Sequence, residues 1–185
     1  MTRVFVAADI HRKDEIRKIQ EDLIAHLNLE DKYLKLVRPE NFHFTLVFFG
    51  DIDNSILDKI LAKISEIEFQ SFEISYGIIG AFPNNNRAKV VWMGIDEKTT
   101  NAFNNLSNLV LSKLTNLDLG LEKEIEKEII PHITLFRTKV TLSLKLQGIA
   151  PYSNIYDKID TVSLKKSITT SHGPIYENII SVNGK

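Results

Sequence analysis

The sequence predicts an α+β fold built on antiparallel sheet. Three observations carry this. β-prone runs and amphipathic helical stretches are interspersed without a strict β-α-β rhythm. Two successive β-prone runs flank the turn residues Pro83-Asn84-Asn85-Asn86 and read as one long hairpin over 72–95. Neither GxGxxG nor GxxxxGK[ST] occurs, so the doubly wound and phosphate-loop folds lack their glycine-rich turn.

Residues 3–9 are β-prone. Residues 14–28 place Ile16, Ile19, Leu23 and Leu27 near one face of a helix. Residues 42–49 form a strongly β-prone run that Gly50-Asp51 ends. Asp53-Asn54-Ser55 caps a second helix reaching about Ile67, with Ile56, Ile60 and Ile64 spaced by four. Phe72, Ile74, Tyr76 and Ile78 alternate as in a strand, and residues 89–95 form its hairpin partner. A third helix fits 97–116, carrying Phe103, Leu106, Val110 and Leu114. Residues 122–128 are charge-dense and read as a solvated loop or surface helix. Residues 131–137 are again β-prone. Residues 158–167 and 175–182 read as two closing strands joined by a turn near His172-Gly173-Pro174. No low-complexity linker interrupts the 185 residues, so 1–185 is read as a single domain.

With 23 Lys plus Arg against 24 Asp plus Glu, the net charge is −1. This argues against a protein that blankets nucleic acid with positive charge and leaves room for a local basic patch. The absence of cysteine removes disulfides, zinc–thiolate sites and cysteine nucleophiles. No apolar run approaches the ~20 residues of a membrane span. The opening residues 1–8 are too short, and too soon interrupted by Asp9, for a signal peptide. A soluble, cytoplasmic protein with no membrane partner is the expectation.

One internal echo carries chemistry. His43-Phe44-Thr45-Leu46 and His132-Ile133-Thr134-Leu135 share the pattern His-apolar-Thr-apolar, 89 residues apart. Chance recurrence of this pattern is on the order of 0.1%, low enough to treat the echo as a signal. In a strand, side chains at i and i+2 share a face. Each motif therefore sets an imidazole beside a hydroxyl and turns its intervening apolar residue into a core. Two such strands facing each other build a pocket with two imidazoles and two hydroxyls. One imidazole can deprotonate a water while the other protonates a leaving oxygen. The hydroxyls can hold a phosphate and stabilise charge on its non-bridging oxygens. This set suits in-line displacement on a strained cyclic phosphodiester, with neither metal nor cofactor.

The doubled motif resembles that of the two-histidine (2H) phosphoesterase superfamily. Its flanks are similar to those of RNA 2′,3′-cyclic phosphodiesterases, also called 2′-5′ RNA ligases. Those flanks are residues 3–9, Val37-Arg38-Pro39-Glu40-Asn41 before the first motif, and Phe49-Gly50 after it. They continue in Gly80-Ala81-Phe82-Pro83, residues 90–95, Pro131 and Arg137 around the second motif, Leu164-Lys165-Lys166-Ser167 and Gly173-Pro174-Ile175-Tyr176. The likeness implies two pseudo-symmetric lobes of antiparallel sheet with flanking helices and an active-site cleft between them. It implies opening of RNA 2′,3′-cyclic phosphate ends to 2′-phosphomonoesters by a monomer. Some members of the family also join 2′-5′ linkages in tRNA halves. It carries catalytic roles onto His43 and His132, with Thr45 and Thr134 beside them, and a phosphate-binding role onto Arg137. The working expectation sets His132 on the water and His43 on the leaving O3′, an order that sequence does not fix. Leu36 stands where many members carry tryptophan, which weakens base stacking there. The stretch 121–128 is idiosyncratic, and 139–156 lacks the helical pattern expected after the second motif.

Other residues carry both a functional and a plainer reading. Arg137 follows His132 by an odd offset, which puts it on the opposite strand face unless a bulge or strand end intervenes. Arg38, held extended by Pro39, is a candidate RNA-backbone contact or an exposed structural charge. Trp92 and Phe82 can stack on a base, although a mid-strand Trp92 reads as core. Lys165 and Lys166 border an RNA path or a solvated strand edge. His26 reads as surface, His11 as a helix approach and His172 as a turn residue. A zinc site from His172, His43 and His132 lacks supporting ligand spacing. Two other functions compete. One is a non-catalytic RNA-end-binding protein, which has no need of both imidazoles. The other is an enzyme acting on small nucleotides such as ADP-ribose cyclic phosphate.

Overall fold

The computed structural model describes residues 1–117, 130–146, 155–171 and 173–185. The charge-dense stretch 122–128 and His172 lie outside these residues. In chain order the elements are β1 (Thr2–Ala8), α1 (Lys13–His26), β2 (Leu34–Leu36), β3 (Phe44–Ile52), α2 (Asn54–Ser65) and β4 (Phe72–Phe82). They continue with β5 (Ala88–Ile95), α3 (Glu97–Leu114), β6 (His132–Leu142), β7 (Tyr156–Ile159), β8 (Thr161–Thr170) and β9 (Gly173–Asn183). The strands form two sheets, in the orders β3-β1-β8-β9 and β2-β6-β5-β4-β7. Every pairing is antiparallel, as the sequence predicts.

Local chemistry explains the helices. Ile16, Ile19 and Leu23 bury one stripe of α1, and Asp14 and Glu15 sit in its first turn, where the helix dipole favours negative charge. Asp53 caps α2 by accepting from the Ile56 backbone N–H, and Ile60 and Ile64 face the core. Asp96 caps α3 in the same way, accepting from the Lys98 N–H. The buried face of α3 is Phe103, Leu106, Val110 and Leu114, the four residues that its sequence period singles out. Phe103 packs on Phe44 of β3, which stacks on Tyr76 of β4, so α3 wedges between the two sheets. Among the described residues no helix is long and apolar enough to cross a membrane.

The closing strands differ from the sequence expectation. Residues 158–167 are not one strand. β7 pairs with β4 in the five-stranded sheet, the chain breaks at Asp160, and β8 pairs with β1 and β9 in the four-stranded sheet. Buried Asp157 anchors this crossing, accepting from the Tyr76 hydroxyl at 2.8 Å and from the His11 and Arg12 N–H groups ahead of α1. β2 also went unread, because three residues are too few for a periodic pattern. Sequence and structure agree on the consequential point: β3 and β6, the strands of the two motifs, meet across the gap between the sheets.

Candidate active site

Both motif histidines are held in the same way. His43 Nδ1 donates to the Asn41 carbonyl at 2.7 Å, and His132 Nδ1 donates to the Ile130 carbonyl at 2.7 Å. A carbonyl can only accept, so each Nδ1 carries its hydrogen and each neutral ring presents a bare Nε2. At His43 that Nε2 accepts from the Thr45 hydroxyl at 3.1 Å. Each ring is thus oriented by a carbonyl two residues back and turns an unprotonated Nε2 outward, at His43 onto the Thr45 hydroxyl. Asn41 is buried and donates through Nδ2 to the Pro174 carbonyl at 2.8 Å, which ties the His43 segment to β9.

Aromatic rings wall each imidazole. Phe5 and Tyr176 lie 4.9 Å and 5.3 Å from the His43 ring. Phe82 and Trp92 lie 4.9 Å and 5.9 Å from the His132 ring. Phe82 and Trp92 pack behind His132 and neither lines the cleft; Trp92 is buried, as its mid-strand position predicts, and Phe82 is half-buried. Gly80 makes this packing possible. A Cβ there would overlap the Trp92 indole, which lies flat across its strand partner.

Two β-bulges complete the site. β6 steps from Trp92↔Thr134 to Val91↔Phe136, leaving Leu135 as the extra residue. The bulge buries Leu135 and Phe136 in succession and returns Arg137 to the face of His132 and Thr134. This resolves the odd offset of Arg137 in favour of the cleft. β3 makes the same step, from Ala7↔Thr45 to Val6↔Val47. Leu46 and Val47 are buried in succession, and Phe48 emerges into the cleft, 53% exposed. Phe48 is thus the positional counterpart of Arg137.

Gln20 stabilises the β6 bulge. It sits on the buried face of α1, 4% exposed, and its Nε2 donates to the carbonyls of Leu135 and Val37. The Leu135 carbonyl also accepts from the Val37 N–H at 3.0 Å, so Gln20 is its second donor and clasps the bulge to the segment that enters the first motif. Gln20→Leu removes the shared donor while Leu135 keeps the Val37 N–H, and we expect a loss of about 0.5–1.5 kcal/mol in urea unfolding. A loss under about 0.5 kcal/mol would mean that the bulge holds without it.

The cleft between the sheets has a volume of about 210 Å³. His43, Thr45, His132, Thr134, Arg137 and Arg38 all line it, whereas Phe82, Trp92, Lys165 and Lys166 do not. Lys35 and Leu36 from β2, Phe5, Phe48, Asn41, Ser167 and Tyr176 join them, and among the described residues no acidic side chain does. Lys35, Arg38 and Arg137 make the cleft locally basic in a chain of net charge −1. Arg38 is exposed at the rim, 4.0 Å from Glu40. The field acts on both imidazoles. Burial, aided by the charge of Lys165, pushes His43 down to about 4, against the pull of the Asn41 carbonyl. Burial, aided by the charge of Arg137, also lowers His132. Burial raises the Tyr176 phenol, which keeps it a hydrogen-bond donor at neutral pH.

His11 and His26, the other described histidines, do not line the cleft. His11 pairs with Asp160 at 2.9 Å, and His26 is exposed at the end of α1. Among the described residues no group of three His, Cys, Asp or Glu could hold a metal ion. Lys165 is not on a solvated strand edge: β8 lies between β1 and β9, and Lys165 is 9% exposed.

Two facing antiparallel sheets, each bringing a His-x-Thr couple to one basic cleft, define an enzyme class: the two-histidine phosphoesterases. Comparison with known proteins narrows this. The family described as LigT like Phosphoesterase matches residues 10–92. The chain is 33% identical over 180 residues to the RNA 2′,3′-cyclic phosphodiesterase of Archaeoglobus fulgidus, covering 96% of this chain and 97% of that protein. It is 36% identical over 190 residues to the RNA 2′,3′-cyclic phosphodiesterase of Methanocaldococcus jannaschii, covering 96% and 98%. The fold matches the crystal structure of E. coli LigT complexed with 3′-AMP at a TM-score of 0.77 and 20% identity, over 98% of this chain and 97% of that one. The chain belongs to the LigT-like phosphoesterase family and is a hydrolase.

Proposed function

We propose that this enzyme opens 2′,3′-cyclic phosphate ends of RNA to 2′-phosphomonoesters, using His43 and His132 as a general acid–base pair without a metal. One observation carries the reading: two imidazoles with unprotonated Nε2 atoms line one cleft with two threonines and Arg137, and among the described residues no acidic side chain lines it. One imidazole takes a proton from the attacking water as its oxygen bonds to phosphorus. The P–O3′ bond breaks, and the other imidazole protonates O3′. Thr45, Thr134 and Arg137 stabilise the non-bridging oxygens as charge builds on them. Arg38 and Lys35 meet the RNA backbone, and Phe48 offers a stacking face to a terminal base. A 5′-hydroxyl RNA end, such as that of a tRNA half, can replace the water, and the same bond changes then leave a 2′-5′ linkage.

The test is hydrolysis of an oligonucleotide with a 2′,3′-cyclic phosphate end in EDTA. The expected product is a 2′-phosphate. A 3′-phosphate would place the leaving oxygen on the other side, and binding without turnover would make the protein an RNA-end binder. Faster turnover of a small cyclic nucleotide than of the oligonucleotide would shift the substrate class to small nucleotides.

The pH dependence has a defined sign. Lowered imidazoles lose their protons earlier as pH rises, so in the free enzyme both histidines are mostly neutral at pH ~7. Catalysis needs one of them protonated. A bell-shaped kcat/KM profile is therefore expected, with both limbs on the acid side of ~6.5. A bound phosphate anion favours imidazolium, so the kcat profile moves to higher pH. A kcat/KM profile that is flat from about pH 5 to 9, with chemistry rate-limiting, would count against the pair.

A further inference from the structure

Behind His43, on the face away from His132, five polar side chains close a ring of hydrogen bonds. Lys165 Nζ lies 2.7 Å from Asp9 Oδ1 and 2.6 Å from Asn178 Oδ1. Asn178 Nδ2 donates to Ser181 Oγ at 3.2 Å, Ser181 and Ser163 are 2.8 Å apart, and Ser163 donates to Asp9 Oδ2. The direction of every bond is forced. An ammonium only donates, so Asn178 turns its oxygen to Lys165 and its NH₂ to Ser181. The single Ser163 hydrogen goes to the Asp9 carboxylate, so Ser181 must donate to Ser163.

Register explains how the ring assembles. Phe5 of β1 pairs with Lys165, so the Lys165 side chain leaves β8 on the face where Phe5 packs on His43. A bulge in β9 at Ile179 sets Asn178 opposite Lys165 and Ser181 opposite Ser163, which brings all four side chains to that face. Lys165 and Ser163 are buried, and a lysine in a central strand is tolerated when paired. A hollow bounded by Lys165, Asp9, Asn178, His43 and Tyr176 joins the ring to the imidazole. Among the described residues nothing comparable stands behind His132, which Phe82 and Trp92 back instead.

We propose that Lys165 and Asp9 are positioning residues for His43: the ring fixes their charges so that they set the field in which His43 exchanges its proton. This rests on the acid–base role of His43 given above. The Lys165 charge disfavours imidazolium and the Asp9 charge favours it, both acting on His43. The other groups facing His43 are His132 of β6, the protonated phenol of Tyr176 of β9, and Lys13 of α1 and Glu40 at the rim of the hollow. Of these, Lys165 and Asp9 are the two whose charges are locked by neighbours on both sides.

The experiment is an NMR titration of the His43 ring in wild type, Lys165→Met, Asp9→Asn and Lys165→Arg, paired with kcat/KM profiles. Lys165→Met is expected to move the His43 midpoint up by on the order of one pH unit, and Asp9→Asn to move it down. Lys165→Arg keeps the charge and stays near wild type. Opposite shifts from the two neutralising variants are a signature that loss of packing does not produce. Should Lys165→Met fail to fold, Asp9→Asn against Lys165→Arg still decides. A His43 midpoint that does not move, or that moves the same way in both, overturns the proposal. If the midpoint moves as expected while neither kinetic limb follows, the tuning stands and the acid–base role of His43 fails. If one limb follows, that limb is the titration of His43 in the free enzyme.

Discussion

Replacing either motif histidine with alanine is expected to lower kcat on a cyclic-phosphate oligonucleotide by ~10²–10⁴-fold, the scale of general acid–base catalysis. Binding of the same oligonucleotide should weaken far less, because the cations and Phe48 remain in the cleft. The two losses should not multiply. A double variant falls by less than the product of the single losses, because the first substitution already breaks the coupled proton transfer. The fold should tolerate each change, since both rings lie at strand starts and are only partly buried. Turnover within about threefold of wild type for either variant would remove that histidine from the mechanism. Comparable turnover and binding losses would indicate a site that recognises ends without reacting on them.

Most of the fold was legible because its cues are local. Asp53 and Asp96 cap helices whose apolar periods continue into the core, and the 72–95 hairpin announces itself through its Pro-Asn turn. The break at Asp160 was not legible. Residues on both of its sides are β-prone, and only pairing with different partners separates β7 from β8. Propensity does not encode which sheet a strand joins.

The site divides in the same way. The two couples were readable from a two-residue period. Phe48 was within reach, since it follows His43 by the same five residues that separate Arg137 from His132. Setting the two motifs over one another would have found it. The carbonyls of Asn41 and Ile130 carry no side-chain signature. Gln20 reads as a polar interruption on an apolar helix face until the Leu135 carbonyl is seen above it. Phe5 and Tyr176 come to His43 through strand pairings spanning most of the chain. Lys165 was misread for that reason, because its burial depends on β1 and β9 closing over both sides of β8.

Arg137→Met is expected to lower kcat/KM by ~10²–10³-fold, the loss seen when one preorganised donor to a developing oxyanion is removed. Arg137→Lys should recover only part of it, since a lysine brings the charge but not the planar fork that can hold two phosphate oxygens. Phe48→Ala offers the contrast, because the matched bulge in β3 delivers an apolar ring at the equivalent position. It should raise KM and largely spare kcat, as loss of a base contact shared by ground and transition states does. Arg137 also lowers His132 by its charge, so Arg137→Met should move the His132 limb of the kcat/KM profile to higher pH. Lys165→Met should move the other limb. If both variants shift the same limb, the two histidines do not divide the proton transfers between them. Turnover of Arg137→Met within about threefold of wild type would show that the β6 bulge brings Arg137 into the cleft without engaging the phosphate.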